Sequence, residues 1–260
     1  MEENQKVFDE DVAVFTNMSL FPAERTVLRR LAPRIADLDM LDLGVGSGRT
    51  GWTYAPLVRR YVGVDYSPRM VEAAKQRLGG ESNVELLVGD ARDLTPIDGQ
   101  FDFILFSFNA IDALPPDGRL QVLDQVRSKL RSDGLFQFST HSLGTLPFDT
   151  HLPHSPRFAK MRTYRMYAKA RELRYAYRIG KINRALDLEA ARRRGWDVIP
   201  SMAHDFRIRD YYVDPEFQVG QLREHGFEVL TVIDNAGQEV TLPHDSRDSW
   251  FDYLCAPSAG

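Results

Sequence analysis

A glycine-rich turn limits the possible folds of this chain more than any other feature of its sequence. Residues 41–48 read Leu-Asp-Leu-Gly-Val-Gly-Ser-Gly, so three glycines alternate directly after a short apolar run. Glycine reaches positive φ without steric cost and lets a ligand approach the backbone closely. The free N–H groups of a following helix favour an anionic ligand group. One glycine would be enough for a plain turn, so this pattern predicts a strand, a ligand-binding loop and a helix in succession.

Strand and helix patterns alternate along most of the chain, which predicts an α/β layer architecture. Because no helical pattern separates the last two strands, we expect them to be antiparallel neighbours. The predicted sheet is seven-stranded and mostly parallel, with an antiparallel last strand. The predicted strands cover residues 40–44, 61–65, 83–89, 101–108, 135–140, 227–233 and 250–255. Helices are predicted over residues 22–35, 67–78, 116–130 and 214–225.

The alternation stops after His141 and resumes at Asp214, so residues 142–213 are predicted to be a helical insertion after the fifth strand. Residues 1–141 and 214–260 would then form the main domain. Between Arg157 and Arg209 the chain has 15 Lys and Arg against 5 Asp and Glu, although its net charge is −4. The basic segment fits a lid over an anionic substrate, an RNA-binding surface, or a solvated helix face balanced by the acidic remainder or a second subunit. The overall pI near 5.9 argues against general nucleic-acid affinity.

Composition excludes several classes of protein. The 260 residues are 43% hydrophobic and 27% charged, which is typical of soluble globular chains. The most apolar run, Phe101–Ala113, is too short and too polar to span a membrane, and the acidic N-terminus does not resemble a secretory signal. One cysteine, Cys255, excludes an intrachain disulfide and a cysteine-based zinc site. We therefore expect a cytoplasmic protein.

Carboxylates follow the first three predicted strands. Asp65 ends the second strand, where its two oxygens could accept ribose hydroxyls; Asp90 follows the third and could accept from an adenine amino group. Asp42 precedes the glycines and would repel a pyrophosphate but could hold an ammonium group. Residues 46–51 also fit the G-x-G-x-x-G dinucleotide pattern, so a dehydrogenase stays open as a minor alternative.

These pieces, in this order, resemble the Rossmann-like, class I methyltransferases that depend on S-adenosylmethionine (SAM). The resemblance covers residues 1–141 and 214–258, and it rests on residues 42–48, 63–67, 89–91, 101–108 and 132–134. The insertion matches no substrate domain of that family. The resemblance implies SAM as cofactor, S-adenosylhomocysteine (SAH) as product, and no metal. His151 and His154 flank Pro153 in a loop without nearby acids, which also argues against a metal site.

The resemblance further implies where the cofactor would lie. The three glycines of the turn would approach the methionine part of SAM, and Asp42 would lie by its ammonium group. Asp65 would bind the ribose. The residues that follow the third strand would contact the adenine, those that follow the fourth would lie near the sulfonium, and Phe15 would cover the cofactor. The implied residues are Phe15, Asp42, Gly44, Gly46, Gly48, Asp65, Tyr66, Met70, Asp90, Ala91, Phe106, Ser107 and Asn109.

Methyl transfer from a sulfonium is an in-line displacement, and a base is needed only when the nucleophile must lose a proton. His141, His204 and Asp112 are the candidate catalytic residues, because each is placed at the carboxyl end of the sheet or at the end of the insertion. Loop, capping or turn roles remain alternatives for all three. For Tyr211 and Tyr212 we favour ordinary packing over a place in the pocket.

The sequence therefore predicts methyl transfer from SAM to an oxygen or nitrogen of a small molecule, anionic if the basic segment binds it. Two alternatives remain. One is methylation of RNA or protein, and the other is a SAM-binding protein of the same fold that transfers no methyl group. The sequence names neither the substrate nor the oligomeric state, and it gives no indication of a membrane partner.

Overall fold

The computed structural model describes residues 19–149, 162–201, 206–244 and 248–258, and for residues 162–171 only the backbone is considered. Phe15, His151, His154 and His204 lie outside the described residues.

A mixed sheet forms the centre of the fold, in the order β3-β2-β1-β4-β5-β10-β8-β9. Strands β1 to β5 are parallel, whereas β10 is antiparallel to both β5 and β8. The mostly parallel sheet with an antiparallel last strand is therefore confirmed. The strands are β1 (Asp39–Leu43), β2 (Arg60–Asp65), β3 (Val84–Val88), β4 (Phe101–Phe106), β5 (Leu130–Ser142), β6 (Trp196–Pro200), β7 (Arg209–Val213), β8 (Phe227–Ile233), β9 (Glu239–Val240) and β10 (Trp250–Pro257).

The described sheet has ten strands rather than the seven expected. Two of the additional strands, β6 and β7, form an antiparallel hairpin inside the segment that was expected to be helical. Strand β7 pairs in parallel with the end of β5, so that Tyr212 is the partner of His141. The Trp-Asp-Val-Ile and Tyr-Tyr-Val sequences of this hairpin are rich in β-branched and aromatic residues, which favour strands. They were not recognised as strands because they are short and lie in an arginine-rich part of the chain.

Seven α-helices are described, and proline occupies an early position in several of them, where its missing N–H costs nothing. Side chains cap the first turns of two of these helices. Ser67 Oγ accepts a hydrogen bond from Met70 N at 3.1 Å, and Asp214 accepts from the N–H groups of Glu216 and Phe217. None of the described helices is long and apolar enough to cross a membrane. The helices are α1 (Pro22–Leu31), α2 (Gly51–Tyr54), α3 (Pro68–Leu78), α4 (Pro116–Lys129), α5 (Arg162–Ala185), α6 (Leu188–Arg194) and α7 (Pro215–Glu224).

Two apolar layers cover the two faces of the sheet, and alternate side chains of β1 belong to different layers. Leu41 and Leu43 pack in one layer, whereas Met40 packs in the other with Tyr54. A third apolar cluster lies within the insertion, where Ile179 of α5 packs with Ile199 of β6 and Tyr212 of β7. Because the central strands are parallel, their carboxyl ends meet at one edge, where the following loops gather.

Candidate active site

The turn after β1 has the conformation that its glycines predicted. Gly44, Gly46 and Gly48 have φ of +62°, +55° and +81°, which are left-handed values that other residues rarely adopt. A Cβ on Gly44 would lie 2.9 Å from Phe106, and one on Gly48 would lie 3.1 Å from Leu78. A Cβ on Gly46 would lie 3.9 Å from the carbonyl oxygen of Gly44, an ordinary contact distance. Gly46 is thus the glycine that keeps the binding space open, while the other two allow close packing.

Asp65 connects the glycine turn to the end of β2. Its Oδ2 accepts from Gly46 N and its Oδ1 from Ser67 N, each at 2.9 Å. The side chain is buried yet lines the cavity described below. A carboxylate held in this way is pre-oriented toward a ligand, because backbone N–H groups fix both of its oxygens.

Asp42 lies behind the surface of the cavity, next to the glycine turn. It is buried, is absent from the cavity lining, and accepts hydrogen bonds from Thr50 Oγ1 and from Tyr61 Oη at 2.6 Å. Burial raises the pKa of Asp42 to about 6, against the two hydrogen bonds and the nearby charge of Arg49, which lower it. Its contacts show Asp42 fastening the helix that follows the turn, and its place beside a cofactor ammonium stays a prediction.

Asp90 lies at the end of β3, beside the cavity, in a two-pronged ion pair with Arg92. Arg92 Nη2 is 2.6 Å from Asp90 Oδ2, and Arg92 Nε donates to both oxygens. This hydrogen bond keeps the pKa of Asp90 below its ordinary value, although partial burial opposes the shift. Asp90 is therefore a fixed, ionised acceptor at the β3 end of the cavity.

One cavity of about 500 Å³ runs along the carboxyl ends of β3, β2, β1, β4 and β5. Asp65 and Asp90 lie at one end, and His141 and Asp210 at the other. Its lining residues are Phe21, Gly44, Val45, Gly46, Ser47, Arg49, Thr50, Val64, Asp65, Tyr66, Met70, Gly89, Asp90, Ala91, Phe106, Ser107, Phe108, Asn109, Ala110, Ala113, Leu114, His141, Asp210 and Trp250.

The backbone after β4 turns sharply at the middle of this cavity. Phe108 and Asn109 have φ of +55° and +57°, two successive left-handed residues that are not glycine. Asn109 N donates to Ser139 Oγ at 2.8 Å, which holds the turn against β5. Asparagine tolerates this conformation better than most residues, and phenylalanine does not, so tertiary contacts must maintain the turn.

A buried ion pair joins the N-terminal helix to the glycine turn. Arg49 donates from Nη1 and Nη2 to the two oxygens of Glu24, at 2.7 and 2.6 Å, and Nη2 also donates to Ser107 Oγ at 2.7 Å. Only 8% of the Arg49 side chain and 1% of the Glu24 side chain are exposed. Glu24 also accepts from Phe21 N at 2.7 Å, so the start of α1 is fixed over the cavity.

Three aromatic rings form the wall above the cavity. Phe21 and Phe108 have ring centroids 4.8 Å apart, and Trp250 meets them edge-on at 6.0 and 6.5 Å. The Arg49 guanidinium lies 4.6 Å from the centre of the Phe21 ring. This wall offers aromatic surface to a ligand in the middle of the cavity.

His141 and Asp112 form a hydrogen-bonded pair at the β5 end. His141 Nδ1 is 2.8 Å from Asp112 Oδ2, which also accepts from His141 N at 2.7 Å. Because an ionised carboxylate only accepts, Nδ1 carries the proton and Nε2 is the basic nitrogen of the neutral ring. Asp112 is wholly buried and does not line the cavity, whereas His141 does. Of these two candidates, only His141 can meet a ligand directly.

A second layer of contacts holds Asp112 in place. Arg119 Nη1 and Thr140 Oγ1 both donate to Asp112 Oδ1, and Arg119 Nη2 donates to Gln218 at 2.8 Å. The Arg119 guanidinium also lies 4.2 Å from the centre of the Tyr211 ring. These contacts fix the carboxylate, and through it the orientation of the imidazole.

The surroundings of His141 raise its pKa. Burial alone lowers the pKa of His141, but the Asp112 hydrogen bond and the charges of Asp112 and Asp210 raise it above the ordinary value. Tyr212 stacks on the imidazole with a centroid distance of 4.8 Å. Neither Tyr211 nor Tyr212 lines the cavity, in line with the packing roles favoured for them.

Most of the implied cofactor residues line the cavity, but Gly48 and Asp42 lie behind its surface and Phe15 is outside the described residues. Of the candidate catalytic residues, His141 lines the cavity, Asp112 lies behind its surface, and His204 is outside the described residues. The sequence indicated no site role for Phe21, Arg49, Phe108, Asp210 or Trp250. Only Trp250 had a usable signal, because it begins the last predicted strand, which the structure pairs with β5 at His141.

The comparisons with known proteins agree with this architecture. Residues 40–134 match a family model described as a methyltransferase domain. The demethylmenaquinone methyltransferase of Clavibacter sepedonicus is 32% identical over 115 residues, which cover 43% of this chain and 45% of that protein. The chain thus spans less than half the length of this curated relative.

Two solved structures show the same fold over nearly the whole chain. A SAM-dependent methyltransferase from Clostridium acetobutylicum has a TM-score of 0.63 at 13% identity, covering 96% of each chain. The complex of DhpI with SAH has a TM-score of 0.59 at 17% identity, covering 100% of this chain and 97% of the other. The chain therefore has the Rossmann-like fold of SAM-dependent methyltransferases, and its residues 40–134 match a methyltransferase domain.

Proposed function

We propose that this protein binds SAM in the described cavity and transfers its methyl group to an oxygen or nitrogen atom of a small molecule. One observation carries the proposal. A single cavity joins the positive-φ glycine turn and Asp65 at one end to His141, oriented by Asp112, at the other. A cofactor site and a candidate base therefore face the same space.

The residues present fit the cofactor. Asp65 offers a fixed carboxylate for the ribose hydroxyls, Asp90 offers an acceptor near the β3 end, and Gly46 leaves room beside the turn. Met70 and Tyr66 line the cavity between these two acids, where an adenine would lie. When bound, SAM supplies an activated methyl group, so the protein mainly aligns the nucleophile and excludes water.

His141 would accept the proton of the nucleophile at Nε2. The 2.8 Å hydrogen bond to Asp112 fixes the ring and stabilises the imidazolium that forms. Phe21, Phe108 and Trp250 would keep water from the reacting atoms. The insertion of residues 142–213 would cover the substrate end, since Asp210 lines the cavity and strand β7 of the insertion pairs with β5.

The first test is cofactor binding by two matched glycine variants, measured by calorimetric titration with SAM. Gly46→Ala should weaken binding at least about tenfold, because it forces a side chain into a left-handed position facing the cavity. Gly80→Ala adds a methyl group where nothing lies within 4 Å, and it should leave SAM affinity unchanged. Equal affinities for the two variants, or tighter binding of NAD(H) than SAM by the unmodified protein, would overturn the cofactor assignment.

The second test is transfer. Purified protein with methyl-labelled SAM and a cell extract should place label in the small-molecule fraction. Label in the RNA or protein fraction would contradict the proposed substrate size. SAM binding with no transfer to any fraction would favour the non-transferring alternative.

A further inference from the structure

Asn109 has an unmet hydrogen-bonding capacity at the substrate end of the cavity. The residue lines the cavity with 7% of its surface exposed, and its Oδ1 is buried without a hydrogen-bond partner among the described residues. Its Nδ2 lies 3.3 Å from Nε2 of His141, and its backbone N–H is held by Ser139. A buried acceptor without a donor is costly, so a bound ligand that donates to Oδ1 would gain more than one that cannot.

The charges around Asn109 also favour a positive donor. Asp210 lines this end of the cavity, and its charge acts on His141. Among the described residues, the guanidinium groups of Arg49 and Arg119 are bonded to Glu24 and to Asp112 and Gln218. The described cavity lining near the candidate base includes a carboxylate, Asp210, and the amide oxygen of Asn109.

The number of donors separates the possible nucleophiles. A carboxylate donates no hydrogen bond and would meet Asp210 and Asn109 Oδ1 as a further acceptor. A hydroxyl has one hydrogen, which His141 would take, so Oδ1 would stay unmet. A primary ammonium has three, enough for His141, for Oδ1 and for a carboxylate.

We propose that the nucleophile is the nitrogen of a primary amine, with Asn109 Oδ1 accepting one of its N–H groups beside Nε2 of His141. This inference rests on the proposed methyltransferase function and narrows it to N-methylation. Asn109, which the family resemblance assigned to the cofactor wall, is thereby assigned to the substrate.

The reaction balances without a further reactant. The ammonium takes the place of Asn109 Nδ2 beside Nε2 of His141 and gives Nε2 one proton, which frees the lone pair of the amine nitrogen. A bond forms between that nitrogen and the methyl carbon while the carbon–sulfur bond breaks, and the bonding pair stays on sulfur. The products are an N-methylammonium and a neutral thioether, and the proton leaves from His141 to solvent. Throughout, Asn109 Oδ1 can retain one N–H of the substrate.

The aromatic wall indicates the kind of body that carries the amine. Phe21, Phe108 and Trp250 present ring surface beside the candidate base, so an apolar or aromatic group next to the nitrogen would fit. A substrate that carries the amine at one end and an anionic group at the other is compatible with this site, because the anionic group would then contact the basic insertion.

The experiment uses three probes that share a phenyl body and differ in head group: benzylamine, benzyl alcohol and benzoate. Each is titrated calorimetrically into the full-length protein saturated with SAH. We expect the dissociation constant of benzylamine to be at least about tenfold below those of the other two. No saturable benzylamine binding at millimolar concentration, or binding of benzoate or benzyl alcohol as tight as that of benzylamine, overturns the inference.

Two variants test Asn109 without straining its left-handed backbone. Asn109→Gly removes the acceptor and should abolish most of the benzylamine preference. Asn109→Asp keeps an acceptor oxygen and tolerates the same φ, so the preference should be retained. A retained preference in Asn109→Gly overturns the inference. So does a loss of SAH affinity in that variant with the preference intact, because Asn109 would then belong to the cofactor. Failure of the unmodified protein to bind SAH would instead contradict the proposed function itself.

Discussion

His141 Nδ1 lies 2.8 Å from Oδ2 of Asp112, a carboxylate with no surface exposed to solvent. Because this contact and the charge of Asp210 raise the pKa of His141, we expect its imidazole to titrate above 6.5. Asp210→Asn should lower that pKa, and Asp124→Asn, beside the separate residue His225, should not. NMR titration of the histidine ring protons measures the pKa of His141 in the wild type and in both variants, and the His141→Gln variant assigns its signal. A wild-type value at or below 6.5 would contradict the structure.

The same pKa sets the pH dependence of transfer. The base form of His141 is lost as pH falls through its raised pKa, so the rate of label transfer from SAM should rise with pH across that value. Asp210→Asn should shift this limb to lower pH, and His141→Gln should remove it while lowering the rate about 100-fold or more. A rate independent of pH between 5 and 9 in the unmodified protein would mean that no histidine acts as base; this range brackets about two units around the unperturbed pKa.

Asp65→Asn should weaken SAM binding. The amide keeps one acceptor oxygen, but it loses the charge and cannot accept from Gly46, Ser67 and a ribose diol together. Hydrogen bonds to charged groups contribute about 1.5–3 kcal/mol, which corresponds to about a 10- to 150-fold loss of affinity. Glu85→Gln removes an exposed carboxylate paired with Arg60 and serves as the control in the same titration. Unchanged affinity in Asp65→Asn would remove Asp65 from the cofactor site.

Asp252 should make the protein less stable as pH rises. Burial raises its pKa to about 8, against the Gln137 hydrogen bond that lowers it. The folded state therefore keeps a proton that the unfolded chain, with a pKa of 3.8, releases. The contribution of Asp252 is full below pH 3.8 and falls by up to about 1.4 kcal/mol per pH unit until the folded pKa is passed.

Asp252→Asn should cancel this loss, because asparagine stays neutral at every pH and can still accept from Gln137. The variant should gain in urea unfolding free energy relative to wild type as pH rises from 5 to about 8, and the difference should then level off. Asp133→Asn changes an aspartate that is 77% exposed, so its unfolding free energy should equal that of the wild type at all pH values. If the unfolding free energies of the wild type and Asp252→Asn change in parallel with pH, the charge of Asp252 is not buried.

Removing either partner of the Arg49–Glu24 pair should be strongly destabilising. Arg49→Met or Glu24→Gln alone leaves a buried group uncompensated, at a cost of about 3–5 kcal/mol in unfolding free energy. The double variant should be less destabilised than the sum of the two, because no unpaired charge remains. A double-mutant cycle by urea denaturation measures this coupling. Additive effects would mean that the two groups do not interact in solution.

The cofactor half of the site could be predicted because it follows from local rules. Three glycines after an apolar run require one kind of turn, and an acid ending the next parallel strand must lie beside it. Asp65 is accordingly found bonded to Gly46. The contacts of Asp42 were harder to predict. Its place beside a cofactor ammonium stays a prediction, and the hydrogen bonds from Thr50 and Tyr61 could not be foreseen because Tyr61 comes from the neighbouring strand.

The substrate half depends on contacts between distant residues. Asp112 and His141 are both recognisable as candidates, but their pairing depends on how the loop after β4 packs against β5. The Arg49–Glu24 pair spans 25 residues and is buried, whereas arginine patterns ordinarily predict a solvated surface. The β6–β7 hairpin was missed because its short apolar runs lie in the most basic part of the chain, yet it brings Asp210 to the cavity.

Strand β10 is the last strand in sequence order but lies between β5 and β8. During synthesis, β5 and β8 have no common neighbour until residues 250–257 leave the ribosome. Until then, each presents an unpaired edge with inward-facing residues such as Phe138 and Val232. The half of the sheet that holds His141 is therefore completed late, while β1 to β4 can pair early. A nascent chain would thus form the cofactor turn well before the substrate end.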